Sequence, residues 1–273
     1  MLGSKQFTAL PVTTMPRQTP PQPAELLKIA HRGASGYAPE NTLAAFQKAV
    51  ELGCQMIELD VRLSRDQVPV VLHDHTLART AGDPRRVDQL TAAQLQQFDA
   101  GRWFAPEFSG ERIPTLAEAL KTIPGHIVVN VEIKPGGPGQ VQLIAEKVWA
   151  VIEGVKAQER VICSSFAHKT LWALRRLAFK LPLAYLAEGR IQQEQFTEAK
   201  ALQVRALILQ AQWTKPALVR QAHAYHLRVF PYTVNRPLQM RQLLRCGVDG
   251  MLTNYPDRLA RVIEQHRRDQ DED

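Results

Sequence analysis

QMIELDVRLS, residues 55–64, alternates in character. In Ile57-Glu58-Leu59-Asp60-Val61-Arg62 every second side chain is aliphatic and every one between is charged. A β-strand sends successive side chains to opposite faces. One face is therefore aliphatic, and the other carries Glu58, Asp60 and Arg62. HIVVNVEIKP, residues 126–135, repeats the pattern, with Val129, Val131 and Ile133 opposite Asn130, Glu132 and Lys134. In a closed parallel barrel the aliphatic faces meet the helical layer and the other faces point inward, where bulky aliphatics are the usual filling. Carboxylates placed there are costly unless a cation compensates them.

Working outward, further apolar strand patterns occupy 27–33, 68–74, 160–166, 181–189, 205–210, 227–235 and 250–256. Helical patterns at 41–52, 115–122, 139–155, 169–180, 192–202, 214–225, 237–245 and 256–265 fall between most of them. Short strands alternating with longer helices argue for βαβ units. About eight such units predict an α/β fold, a TIM (β/α)8 barrel. No G-x-G-x-x-G follows any strand, which removes the Rossmann fingerprint. Residues 75–114 break the rhythm and are far longer than an ordinary βα loop. They contain Thr91 and Gln94, a capping box for a short helix, and the patch FDAGRWF at 98–104. We expect a small insertion subdomain here, either a lid or substrate wall, or a packed excursion without functional contacts. Pro231 removes a hydrogen-bond donor from the seventh barrel strand and suggests a bulge.

The 273 residues are 45% hydrophobic, enough for one barrel domain, predicted over 26–268 with the insertion included. Residues 1–25 read as a disordered leader rich in proline and threonine, without the layout of a secretory signal, and 269–273 as a frayed acidic tail. No stretch approaches the ~18 apolar residues of a membrane span. Cys54, Cys163 and Cys246 have no metal-ligand spacing and fit a cytoplasmic protein with reduced thiols. The formal charge is +7, and residues 158–245 hold 14 Lys/Arg against 4 Asp/Glu. A basic segment of this kind attracts phosphate-bearing substrates, anionic membranes or nucleic acid, or is a solvated surface.

Glu58, Asp60 and Glu132, with no cysteine nearby, form a hard oxygen-donor set suited to Ca²⁺, Mg²⁺ or Mn²⁺ more than to Zn²⁺ or Cu²⁺. The alternative is a salt-bridge network with Arg62 and Lys134. His31 closes the first strand and His73 closes 68–74, at the strand ends where barrel enzymes place their active sites. Two histidines beside a carboxylate cluster read as an acid–base pair. His75 competes for the role of His73 on strand period but falls beyond the strand. His168, His223 and His226 lie on helical patterns.

The ordered series HRG (31–33), PENT (39–42), IELDV (57–61), VVLHD (70–74), LART (77–80), DAGRWF (99–104), IPTLAEAL (113–120), VEIKP (131–135), SSF (164–166), YTVN (232–235) and GVDGMLTNYPD (247–257) resembles the glycerophosphodiester phosphodiesterase family. The resemblance covers nearly all of the chain but the leader. It implies a TIM barrel with an insertion after the second barrel strand, which makes 68–74 part of that excursion. It implies hydrolysis of glycerophosphodiesters, such as glycerophosphocholine or glycerophosphoethanolamine, to glycerol 3-phosphate and an alcohol. By similarity, Glu58, Asp60 and Glu132 hold Ca²⁺ or Mg²⁺, His31 and His73 are the acid–base pair, and Arg32 and Lys134 contact phosphate. Glu40 and Asn41 lie near the metal, and Tyr232 walls the pocket where many relatives carry Trp. Asp66-Gln67 replaces the family's frequent Asp-Gly turn. The implied partner is a small-molecule diester, with no nucleic acid and no stable membrane insertion. The sequence carries no signal for oligomeric state. One rival reading is a phosphodiesterase of lysophospholipase D type, acting on lysophospholipids at a membrane surface. The other is a non-catalytic barrel with a basic binding surface.

Overall fold

A computed structural model describes residues 26–137 and 139–271, so the leader expected over 1–25 lies outside the described residues. The elements in chain order are β1 (Leu27–Ala30), α1 (Leu43–Glu51), β2 (Met56–Leu63), β3 (Pro69–Val71), β4 (Thr76–Leu77), α2 (Ala78–Ala81), β5 (Asp83–Arg86), α3 (Ala92–Leu95) and α4 (Leu116–Thr122). There follow β6 (Val128–Ile133), α5 (Val141–Gly154), β7 (Val161–Ser165), α6 (His168–Leu177), β8 (Leu183–Ala187), α7 (Gln193–Ala201), β9 (Ala206–Gln210), α8 (Pro216–Ala224), β10 (Arg228–Tyr232), α9 (Pro237–Arg245), β11 (Gly250–Thr253) and α10 (Pro256–Asp271).

Eight strands pair in the order β10-β9-β8-β7-β6-β2-β1-β11, each paired neighbour parallel. The two ends of this sheet meet through Val234 N–H to Leu252 O at 2.8 Å and Asp249 N–H to Val229 O at 3.1 Å, giving a nearly closed barrel. The bulge expected at Pro231 is absent on the β9 side: register runs unbroken from Arg228–Ala206 to Tyr232–Gln210. The donor that proline lacks belongs to the seam with β11, where the ladder is reduced to the two bonds above.

Strand period decides where the core goes. Ile57, Leu59 and Val61 of β2 and Val129, Val131 and Ile133 of β6 are buried in the layer between barrel and helices. Inside the barrel a separate cluster includes Ile29, Met56, Ile162, Leu186, Phe230 and Leu252. The inward positions nearer the C-terminal strand ends of β2 and β6 are polar.

β3 lies off the barrel path and pairs antiparallel with β2, Val61 opposite Val71. Its Val70, with Leu72 just beyond it, packs with Leu77, Val87, Leu90, Leu95 and Ile113, so the excursion between β2 and α4 has its own apolar centre. Thr91 and Gln94 cap α3 reciprocally. α10 runs to Asp271, past the helical pattern read over 256–265, and residues 272–273 of the acidic tail expected over 269–273 lie outside the described residues.

Candidate active site

Glu58 and Asp60 follow one another on the inward face of β2, and Glu132 sits opposite Asp60 in the β2–β6 register. All three are buried, and each offers a carboxylate oxygen within 4.8 Å of the others. Two cations answer them. Lys134 Nζ lies 2.8 Å from Asp60 Oδ1 and also bonds Glu132. Arg32 Nε lies 3.2 Å from Asp60 Oδ2. The salt-bridge network read from the sequence thus uses Lys134 and Arg32 rather than Arg62. Arg62 makes no ion pair with the three acids; its Nε donates to the His73 carbonyl at 2.8 Å.

The strand-to-helix joint after β1 is built to deliver Arg32. Arg32 adopts φ +56° and Asn41 φ +59°, left-handed conformations that are rare outside glycine. They are held by Arg32 N–H to Glu58 Oε2 at 2.8 Å and Asn41 N–H to the Arg32 carbonyl at 3.0 Å. Asn41 brackets Asp60, donating from Nδ2 to Oδ2 at 2.8 Å and accepting from the Asp60 N–H at 3.2 Å. Gly33 has φ +78°, and a Cβ there would stand 2.7 Å from Ala45 backbone. Gly36 serves a different need than conformational freedom: a Cβ would fall 2.2 Å from the Tyr255 ring.

The two histidines have unlike partners. His31 Nδ1 faces Asn254 Oδ1 at 2.9 Å, a neutral acceptor, which places the proton on Nδ1 and leaves the Nε2 lone pair free. Burial and the Arg32 guanidinium lower His31 to about 4. His73 Nδ1 faces Asp74 Oδ1 at 2.6 Å, a carboxylate that favours the imidazolium. Burial, opposed by Asp60 and helped by Lys134 and Arg32, lowers His73 from its ordinary value. Partial burial works against ionisation of Asp74, yet hydrogen bonds from Arg79 and His73 bring it down to about 2.

Glu40 is held by two arginines, one of which, Arg32, also meets Asp60. Its carboxylate receives Arg32 Nη1 at 2.9 Å and both terminal nitrogens of Arg79 at 2.7 Å. Arg79 Nε reaches Asp74 Oδ2 at 2.8 Å. An unbroken ionic chain, Arg32–Glu40–Arg79–Asp74–His73, therefore links the first strand end to the second. The sequence reading assigned no role to Arg79, Asp74, Asn254 or Asn235. The last accepts from Asn254 N–H at 2.9 Å. All four stand in motifs already quoted for the resemblance, and Asp74 follows His73 directly. Tyr232 is half-buried at the end of β10, in edge-to-face contact with Phe166 at 6.1 Å. Its phenol is pushed up by burial and then by Glu188 and Glu132, so it shares a field with the cluster. His75 is exposed and lies beyond β3.

Buried Glu58 Oε1 accepts no hydrogen bond, and Asp60 Oδ1 is met only by the Lys134 ammonium at 2.8 Å. Three acids face two cations, and burial with mutual repulsion raises Glu58 well above the carboxylate range and Glu132 to about 7. An unmatched oxygen acceptor and an excess of acids over cations in a hard-donor set fit a divalent cation such as Ca²⁺ or Mg²⁺.

Comparisons with known proteins agree on one family. The model of the glycerophosphoryl diester phosphodiesterase family matches residues 31–258. A glycerophosphodiester phosphodiesterase of Caldanaerobacter subterraneus subsp. tengcongensis is 38% identical over 245 residues, 88% of this chain and 98% of that protein. One from Bacillus subtilis is 32% identical over 279 residues, 96% of this chain and 94% of that protein. An Oleispira antarctica phosphodiesterase, solved in complex with the product sn-glycerol-3-phosphate, superposes with a TM-score of 0.82 at 30% identity, covering 86% of this chain and 96% of that one.

Proposed function

The chain belongs to the glycerophosphoryl diester phosphodiesterase family, and from that premise we propose that it hydrolyses glycerophosphodiesters to glycerol 3-phosphate and an alcohol by histidine acid–base catalysis with a divalent cation. One observation carries the reading: two histidines with opposite partners flank a buried trio of carboxylates at the C-terminal rim of the barrel. The glycerol 3-phosphate bound to the Oleispira antarctica relative supports the product.

A phosphodiester resists attack because its anionic oxygens repel nucleophiles. Arg32 and Lys134 offset that charge as it grows in the transition state. Glu58, Asp60 and Glu132 would hold Ca²⁺ or Mg²⁺, which supplies Lewis-acid polarisation of a phosphoryl oxygen when bound. His31, neutral and with Nε2 free, takes the proton of the glycerol 2-hydroxyl, whose oxygen attacks phosphorus. His73, oriented by Asp74 through Nδ1, protonates the departing alkoxide oxygen from Nε2. Water then opens the cyclic phosphate with the two roles exchanged. Each positioned acid or base contributes ~10²–10⁴ in rate. Asn254 and Asp74 fix the tautomers, and Tyr232 walls the far side.

The insertion acts as a wall of the site through Arg79. Its Trp103 is 42% exposed beside Arg79, the feature that favours the second reading, action on lysophospholipids at a membrane surface. Among the described residues no helix is long and apolar enough to cross a membrane. The free thiols of Cys54, Cys163 and Cys246 suit a reducing compartment, and we place the protein in the cytoplasm. The test is release of glycerol 3-phosphate from a panel of glycerophosphodiesters and from lysophosphatidylcholine, with chelator and with each divalent ion restored. Release that depends on the ion and favours the soluble diesters is expected. Ion-independent turnover would remove the cation, and preference for the lysophospholipid would install the second reading.

A further inference from the structure

Above the acidic trio the same two strand faces turn basic. β2 and β6 pair Asp60 with Glu132 and Val61 with Ile133, and the Lys134 N–H donates to the Val61 carbonyl at 3.0 Å, so Arg62 and Lys134 form the next layer outward. That layer lines a cavity of about 290 Å³, bounded elsewhere by His75 and Arg86 of the insertion and by the glycine-rich loop after β6. The single acid on its wall, Asp88, is already matched by Arg86, which grips both oxygens at 2.9 and 2.6 Å. Arg62 uses only Nε, on the His73 carbonyl, and its two terminal nitrogens have no hydrogen-bond partner among the described residues. The lining includes no Phe, Tyr or Trp. A quaternary ammonium group is recognised by aromatic faces or unpaired carboxylates, and this wall offers neither. Guanidinium forks instead match phosphate or carboxylate.

We infer that this cavity seats the departing alcohol and selects alcohols bearing an anionic group, such as a phosphorylated polyol, over choline. The inference rests on the hydrolysis proposed above. His73 hands its proton to the departing oxygen, and Arg62, bonded to the backbone of His73, marks where that alcohol leaves. Arg86 is the outer jaw: it is half exposed, and among its bonds none reaches the carboxylate trio or either histidine.

The experiment compares kcat/KM for glycerophosphoinositol phosphate, glycerophosphoinositol and glycerophosphocholine, in the cation-loaded full chain and in Arg86→Gln. Calorimetric binding of inositol phosphate alone is measured in parallel. We expect at least about tenfold preference for the phosphorylated substrate, mostly lost in Arg86→Gln through KM, with glycerophosphoinositol turnover unchanged. Inositol phosphate should bind the wild type and lose about tenfold in the variant. Equal turnover of all three diesters, or an equal loss on all three in Arg86→Gln, overturns the inference and leaves the activity standing. No turnover of any diester, with inositol phosphate binding still dependent on Arg86, overturns the activity and keeps the anion site.

Discussion

His31 and His73 are the same side chain in two settings, and the difference lies in one neighbour each: an amide oxygen for His31, a carboxylate for His73. Removing the donor should stop the chemistry without emptying the metal site, because no His73 atom belongs to the carboxylate trio. His73→Ala is expected to lower kcat by at least ~10² while cation affinity, read by calorimetry, stays within about twofold. A variant with wild-type kcat would take His73 out of the mechanism. Arg79 touches neither histidine but holds Asp74 and Glu40 together through three hydrogen bonds. Its loss frees both carboxylates, so His73 and Arg32 each lose a fixed partner. Arg79→Ala should lower kcat about tenfold or more with a smaller change in KM. Arg79→Lys should restore only part, since an ammonium cannot span two carboxylates as the planar fork does. Equal effects on kcat and KM, or full rescue by lysine, would make Arg79 merely a binding or charge contact.

At the scale of elements, legibility followed the range of the physics. Faces of β2 and β6 were readable because period-two alternation is local, and Thr91–Gln94 because a capping box spans one turn. What joins those elements was not readable. Arg79 meets Glu40 across 39 residues and His31 meets Asn254 across 223, and nothing in either neighbourhood announces the other. The end of α10 was missed for a different reason. Beyond residue 265 the helix has no apolar stripe, and its polar turns are held by pairs spaced four apart, Arg261 with Asp257 and Arg268 with Glu264. The Asp66-Gln67 turn between β2 and β3 shows the opposite case, where a sequence departure has a measurable cost. Gln67 sits at φ +62°, a conformation that costs a non-glycine residue ~1–2 kcal/mol. Glycine's greater unfolded entropy takes back part of that. Gln67→Gly should therefore stabilise the protein by up to about 1 kcal/mol in chemical denaturation with kcat unaltered. Destabilisation would show that the Gln67 side chain makes up the difference by contacts of its own.

At the scale of the molecule, a nearly closed barrel collects three acids and two cations in its interior and leaves Glu58 Oε1 without a donor. Folding without an ion drives those acids toward protonation: Glu132 stands at about 7 and Glu58 well above its ordinary 4.5, both raised first by burial and then by the neighbouring carboxylates. A divalent cation takes only ionised carboxylates, so binding must displace those protons. The sign follows. Below about pH 7 the ion competes with protons at both Glu132 and Glu58, and its affinity climbs as pH rises. Each displaced proton is worth up to tenfold per pH unit. Above about pH 7 the contribution of Glu132 levels off. Because the ion binds the folded chain, affinity appears as thermal stability. The rise in Tm on adding Ca²⁺ or Mg²⁺ to chelator-treated protein is expected to be several degrees larger near pH 8 than near pH 6. Glu132→Gln, which removes one proton competitor along with one ligand, should shrink the rise and flatten its pH dependence together. Scanning calorimetry at the two pH values decides it: an ion-dependent rise of equal size at both would mean that the ion sits elsewhere and the buried trio holds protons for another reason.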